Sequence, residues 1–148
     1  MARAPFQVLV LPYLIGPDGL RFAIFKRSDA EYWQFIAGGG EDSETPLKAA
    51  KREAYEEAGI SIDSSYTILH STEILRVENV AGPLWGSTVA EIPEHCFAVE
   101  LDSNHITLSN EHTAFQWCDF DEAINLLYWN SNQMALKELG EQIAQPRG

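Results

Sequence analysis

Residues 38–60 constrain this chain more than any other stretch. Three consecutive glycines, Gly38 to Gly40, close a short apolar run, and a helix with both ends marked follows closely. Thr45 can accept hydrogen bonds from the first helical N–H groups, Pro46 suits the first helical position because it has no N–H to leave unpaired, and Gly59 suits the left-handed turn that ends a helix. Between these ends Leu47, Ala50, Ala54 and Ala58 recur at helical spacing, so mostly small side chains line one narrow face that can lie close to a sheet. The charges fall on the opposite side. Strand, glycine loop and close-packed helix should therefore form one unit, and the glycines mark where backbone bends or meets something at short range.

Turn chemistry at Gly16-Pro17-Asp18-Gly19 separates the apolar segments Phe6–Ile15 and Leu20–Arg27, which predicts a β-hairpin. Further strands are predicted at Tyr32–Ala37, Tyr66–Val77, His95–Leu101 and Thr113–Cys118. Two helices close the chain, Asp121 to about Tyr128 and a longer one from about Ser131 with Leu136, Leu139 and Ile143 on one face. With 148 residues, 45% of them hydrophobic, and no repeat or linker, the expectation is a single α/β domain over 1–148, a mixed sheet covered by helices. The loop Ala81–Pro93, with Trp85 at its centre, reads equally as a lid or a dimer contact, and monomer and homodimer both stay open.

Charge narrows the partners. Acidic residues outnumber basic ones 22 to 10, a formal charge of −12, which argues against nucleic-acid polymers and anionic membranes and requires a cation bridge to any polyanion. Val8–Ile15 is interrupted by Pro12 and falls far short of the roughly 20 residues of a membrane span. No small-x-small cleavage site follows it, and Cys96 and Cys118 form no zinc or disulfide pattern, so a cytoplasmic protein with reduced thiols is expected.

Glu53, Glu56 and Glu57 stand at i, i+3 and i+4 of the helix, and three carboxylates on one face are unfavourable unless water or a cation separates them. Hard oxygen ligands select Mg²⁺, Mn²⁺ or Ca²⁺. By themselves these residues equally describe a solvated acidic face. The larger pattern is G-x5-E-x7-R-E-U-x-E-E-x-G-U, with U apolar, filled by Gly38, Glu44, Arg52, Glu53, Ala54, Glu56, Glu57, Gly59 and Ile60. At roughly 6% per fixed residue, a chance match at one position is on the order of 10⁻⁹.

That pattern resembles the signature of the Nudix hydrolases. The resemblance implies an α/β/α sandwich with a mixed sheet and a catalytic strand-loop-helix. The implied reaction is Mg²⁺-dependent hydrolysis of a diphosphate linked to another group, with Mn²⁺ as a possible substitute. It implies metal binding by Glu53, Glu56, Glu57 and the Gly38 carbonyl, orientation of carboxylates by Arg52, and loop support by Glu44. The general base is left open between Glu56, Glu57 and a carboxylate outside the motif.

Flanking segments extend the similarity from about Arg27 to Leu139. Arg27-Ser28-Asp29, Tyr32-Trp33-Gln34-Phe35, Asn110–Trp117 and Trp129-Asn130-Ser131-Asn132 resemble a bacterial branch that acts on dihydroneopterin triphosphate or dATP. Its counterpart of Glu111 is a metal-binding or proton-accepting carboxylate; read alone, Glu111 is equally an exposed loop residue. Adjacent strand residues face opposite ways, so only one of Lys26 and Arg27 can meet phosphates, and Arg27 is chosen. Trp33, Phe35 and Trp129 are candidate stacking surfaces that also read as core. Asn132 is a candidate for hydrogen bonds to a base, with capping of the last helix as the plainer reading.

The expected partner is a small phosphorylated metabolite or nucleotide, cleaved to monophosphate and pyrophosphate. Dinucleotide polyphosphates, oxidised nucleotides or nucleotide sugars are alternative substrates. A non-catalytic nucleotide-sensing module is the alternative of another class.

Overall fold

The computed structural model describes residues 3–17, 19–27, 31–41, 43–76, 91–109 and 112–144. The hairpin forms from β1 (Arg3–Gly16) and β2 (Gly19–Arg27), followed by β3 (Trp33–Gln34), β4 (Ile36–Glu41) and α1 (Pro46–Ala58). Then come β5 (Ser65–Arg76), β6 (Glu91–Glu100), β7 (His112–Cys118), α2 (Phe120–Leu126) and α3 (Asn130–Ala144). Among the described residues no helix is long and apolar enough to cross a membrane.

The strands build one mixed sheet around β1. Parallel β6 covers one edge of β1 over Gln7–Tyr13, while β4 and β2 divide its other edge, β4 along the first part and β2 at the hairpin end. On the far side of β6 lies β5, and β7 lies outside β2. Val8 and Val10 of β1 face α1, with Ala23, Phe25, Ile36, Phe97 and Val99. Leu9, Leu11 and Tyr13 face α2 and α3, with Phe22, Ile24, Phe35, Leu136 and Leu139. Burial on both faces explains why β1 reads as an unbroken apolar run instead of an alternating one. The result is a sheet between two helical layers.

Several boundaries differ from expectation. The strand expected over Tyr32–Ala37 is two strands that part at Phe35, whose N–H donates to Asn132 Oδ1 at 2.8 Å. The glycines belong to β4, with Val8 opposite Gly38 and Gln7 opposite Gly39. β6 begins at Glu91, ahead of the expected His95, and takes in Pro93. Pairing with β1 starts only at Glu94, so the missing N–H of Pro93 removes nothing from that ladder, while on the other side Pro93 lies opposite Ile74 of β5. Residues 81–90 of the expected loop lie outside the described residues.

The helix expected from Asp121 to Tyr128 starts one residue earlier and stops at Leu126. Asp119 and Glu122 close a capping box at its start. Its end is fixed by tertiary contact, because the Tyr128 N–H donates to the Trp33 carbonyl at 3.0 Å.

Asn132 is 2% exposed and sits inside α3, so it ties two distant segments together and does not cap the helix. Asn132→Ala leaves the Phe35 N–H buried without this acceptor, an expected cost of about 1–3 kcal/mol. Urea denaturation measures it, and an unchanged midpoint would show that the bond carries no net stability.

Candidate active site

The turn between β4 and α1 is held from both sides. The Glu44 N–H donates to the Glu41 carbonyl at 3.0 Å, and the Glu41 N–H donates to Glu44 Oε1 at 2.9 Å. Thr45 Oγ1 accepts from the Lys48 N–H at 3.3 Å, as an N-cap should. At the other end Gly59 has φ +70°, and the N–H groups of Gly59 and Ile60 return to the carbonyls of Tyr55 and Ala54. The segment 101–109 takes up the next free carbonyls: Thr107 N–H donates to Ala58 and Ser109 N–H to Glu57. This lays that segment along the carboxylate end of α1.

Arg52 is the electrostatic centre of the site. Its Nε donates to Glu44 Oε2 at 2.8 Å, and its Nη2 donates to Glu44 Oε1 at 3.0 Å and to the Gly39 carbonyl at 2.9 Å. Nη1 donates to Glu53 Oε1 at 2.9 Å and to Glu56 Oε2 at 3.3 Å. These bonds use all five N–H groups of the guanidinium. The bond from Arg52 holds the Glu44 carboxyl below its ordinary range against the opposing effect of burial. Glu44 and its partner carboxylates raise Arg52 further still, so the cation is permanent.

Glu53 and Glu57 form the inner part. Glu57 is 3% exposed and shares a hydrogen bond with Glu53. Burial lifts the Glu53 carboxyl above its ordinary range, opposed by the bonds from Glu57 and Arg52, while the charge of Glu56 pushes it upward again. Two carboxyls in contact and largely withdrawn from water do not both stay ionised unless a cation lies between them; otherwise one of them holds a proton. Glu56 is half exposed and turned towards Arg52. Among the described residues, no three His, Cys, Asp or Glu side chains close into a ready-made metal cage. The donor chemistry nevertheless suits a hard divalent cation, since α1 carries Glu53, Glu56 and Glu57 and the Glu53 carboxyl lies against Gly38.

Gly38 shows how tightly that place is built. A Cβ there would overlap the Glu53 carboxyl, and one at Gly40 would overlap the Phe6 ring. Gly38→Ala should keep nearly full stability, because the far end of Glu53 can swing aside. It should nonetheless lose on the order of 10²-fold in turnover as the carboxylate leaves its position. Unfolding midpoints and kcat on the same sample check this, and a variant that retains kcat would remove Gly38 from the site.

The other expected site residues divide between the two faces of the sheet. Arg27 alternates in register with Ala23 and Phe25, which pack on the α1 side, and it pairs with His112 of β7. By this alternation its position falls on the α1 side, at the point where the β2–β7 register shifts between Lys26 and Arg27. Trp33 and Phe35 pack on the α2–α3 side, and the fully buried Phe35 ring is a core residue that presents no face to a ligand. Asn132 is committed to Phe35 on that same side. Glu111 lies outside the described residues.

Two features escaped the sequence reading. Glu41 Oε2 lies 3.5 Å from Arg52 Nη1, a contact for which neither its position nor its type gave a signal. Tyr32, Tyr128 and Trp129 form a surface cluster of rings, with Tyr32 and Tyr128 stacked at 4.6 Å. Tyr128 and Trp129 adjoin in the sequence, but Tyr32 lies far from them, and only the end of α2 brings the three rings together.

Comparison with known proteins gives the family and the fold. The NUDIX domain model matches residues 8–138. A dihydroneopterin triphosphate diphosphatase of Haemophilus influenzae is 26% identical over 137 residues, covering 87% of this chain and 84% of that protein. A solved structure described as a NUDIX hydrolase of Listeria monocytogenes superposes with a TM-score of 0.85 at 39% identity, covering 95% and 94% of the two chains. The Escherichia coli dihydroneopterin triphosphate pyrophosphohydrolase shares the fold, with a TM-score of 0.81 at 24% identity over 96% of this chain and 99% of that one.

Proposed function

The chain belongs to the Nudix family and is a pyrophosphohydrolase, and from that premise we propose that it cleaves a pterin or nucleoside triphosphate between the α and β phosphates. Nudix hydrolases generally use divalent metals such as Mg²⁺. In this reading Glu53, Glu56, Glu57 and the Gly38 carbonyl hold the metal. The observation that carries it is the contact between buried Glu53 and Glu57, anchored by Arg52, where only a cation lets both carboxylates ionise. When bound, such a cation screens the phosphate oxygens and lowers the pKa of an attacking water.

The chain's own residues supply the rest. Arg52 fixes Glu53 and Glu56 in place without meeting substrate. Arg27, on the α1 face, is assigned to the terminal phosphates. Glu111 is assigned as the proton acceptor. Its support is the placement of its neighbours: Ser109 bonds the Glu57 carbonyl, and His112 stands opposite Arg27. Glu111→Gln should therefore lower kcat well beyond any change in KM; an effect on KM alone would assign Glu111 to binding. Because Phe35 is enclosed in the core and Asn132 is committed to it, neither belongs to the substrate set. Trp33 remains a candidate only through the part of its ring left at the surface.

The test is incubation with dihydroneopterin triphosphate and dATP, with and without Mg²⁺, and identification of products by mass spectrometry. Monophosphate and pyrophosphate in the Mg²⁺ samples are expected. Failure of both substrates to release pyrophosphate above the metal-free control would overturn the substrate assignment. Saturable binding with no product would make the chain a sensing module instead.

A further inference from the structure

Arg52 has five N–H groups and six acceptor oxygens within reach. Five of those oxygens already take one N–H each, from Glu44 twice, Gly39, Glu53 and Glu56. The sixth is Glu41 Oε2, 3.5 Å from Nη1, the same nitrogen that serves Glu53 and Glu56. Nη1 carries two hydrogens and faces three carboxylates. Glu41 does not drift free, because its backbone N–H is held by Glu44 and it pairs with Arg3 on β1. Its side chain is 29% exposed, so it keeps contact with water beside the guanidinium.

We infer that Glu41 is a positioning residue, a standing acceptor that takes over Arg52 Nη1 when a divalent cation draws the Glu53 and Glu56 carboxylates away from it. The inference rests on the metal-site reading above. Without a replacement partner, metal binding strips a mostly buried guanidinium of two hydrogen bonds, and that loss is subtracted from the affinity for the metal. With Glu41 in reach, Nη1 exchanges partners and Arg52 stays fixed to Glu44 and Gly39. The carboxylates are freed while the arginine that orients them does not move. Glu41 is placed for this exchange at the end of β4, 3.5 Å from Nη1.

Mn²⁺ binding to the substrate-free protein, measured by isothermal titration calorimetry, tests this without reference to turnover. Glu41→Gln should weaken binding roughly 2- to 5-fold, the scale of a partly exposed ion pair. Glu41→Asp should weaken it to a similar extent, since the shorter side chain keeps the charge but withdraws the carboxylate from Nη1. Normal affinity in both variants overturns the inference. Normal affinity in Glu41→Asp alone also overturns it, because charge and not contact would then be responsible. No Mn²⁺ binding by the unsubstituted protein overturns the metal site itself, and this role of Glu41 with it. A second readout follows Arg52 directly. In the Mg²⁺-loaded protein its Nη1 resonances should be sharp, and in Mg²⁺-loaded Glu41→Gln they should be broadened by free rotation. Identical spectra would overturn the exchange.

Discussion

Glu56→Gln is expected to lower kcat by about 10²- to 10³-fold while the protein stays folded. The substitution keeps size and polarity but removes a ligand charge, and the electrostatic help of a bound metal to a phosphoryl transition state amounts to several kcal/mol. Glu56 is the cleanest of the three glutamates to replace. Its side chain is 54% exposed and its bond to Arg52 is the longest of the five at 3.3 Å, so folding depends on it little. Steady-state kinetics with saturating Mg²⁺, paired with an unfolding midpoint, separate chemistry from stability. Near-normal turnover in a protein with an unchanged midpoint would exclude Glu56 from the metal shell. Recovery at higher Mg²⁺ would instead locate the loss in metal affinity.

Arg52→Ala is expected to act on stability as well as on turnover. The guanidinium is 21% exposed and pairs with Glu44 and Glu53, whose side chains are 21% and 12% exposed. Removing one partner of a mostly buried ionic cluster costs about 3–5 kcal/mol, because the carboxylates left behind repel one another with nothing to compensate them. Arg52→Lys restores one charge but not the five directed N–H groups, so it should recover only part of the loss.

The pH dependence carries a sign. Arg52 holds Glu44 below its ordinary range in the folded protein, so this stabilisation is fully present above the unfolded carboxylate pKa and is lost as pH falls through the lower native value. Burial moves Glu53 the other way, so the folded state holds that proton more tightly than the unfolded chain does. Both shifts make the deficit of Arg52→Ala greater at pH 7 than at pH 4. Urea titrations at the two values measure it, and an equal deficit at both would rule out ion pairing as the cause.

How far the sequence reached depends on the range of the forces involved. The ends of α1 were legible because capping is a contact of a few residues. The cap of Thr45, the proline after it and the left-handed Gly59 all stand where their types required. The carboxylate face was legible for the same reason, since helical spacing alone places Glu53, Glu56 and Glu57 together. The mixed sheet covered by helices was legible from the irregular alternation of strands and helices along the chain, and the burial of β1 on both faces accords with it.

What the sequence left open was settled between segments far apart in the chain. Phe35 looked like a ring for stacking, yet its place in the core comes from α3, 97 residues on, where Asn132 receives its N–H. Pro93 looked like a loop residue, yet it lies in β6 opposite Ile74 of β5, one residue before the pairing with β1 begins. Tyr128 looked helical until the Trp33 carbonyl claimed its N–H. By itself, then, the sequence determined the helix and its carboxylates through local spacing, and the family of chemistry only through the resemblance of its longer motif. Only the tertiary structure decided which face each candidate occupies and which oxygens crowd Arg52, because strand register and the closing turn bring the Gly39 carbonyl and Glu41 to the guanidinium alongside Glu44.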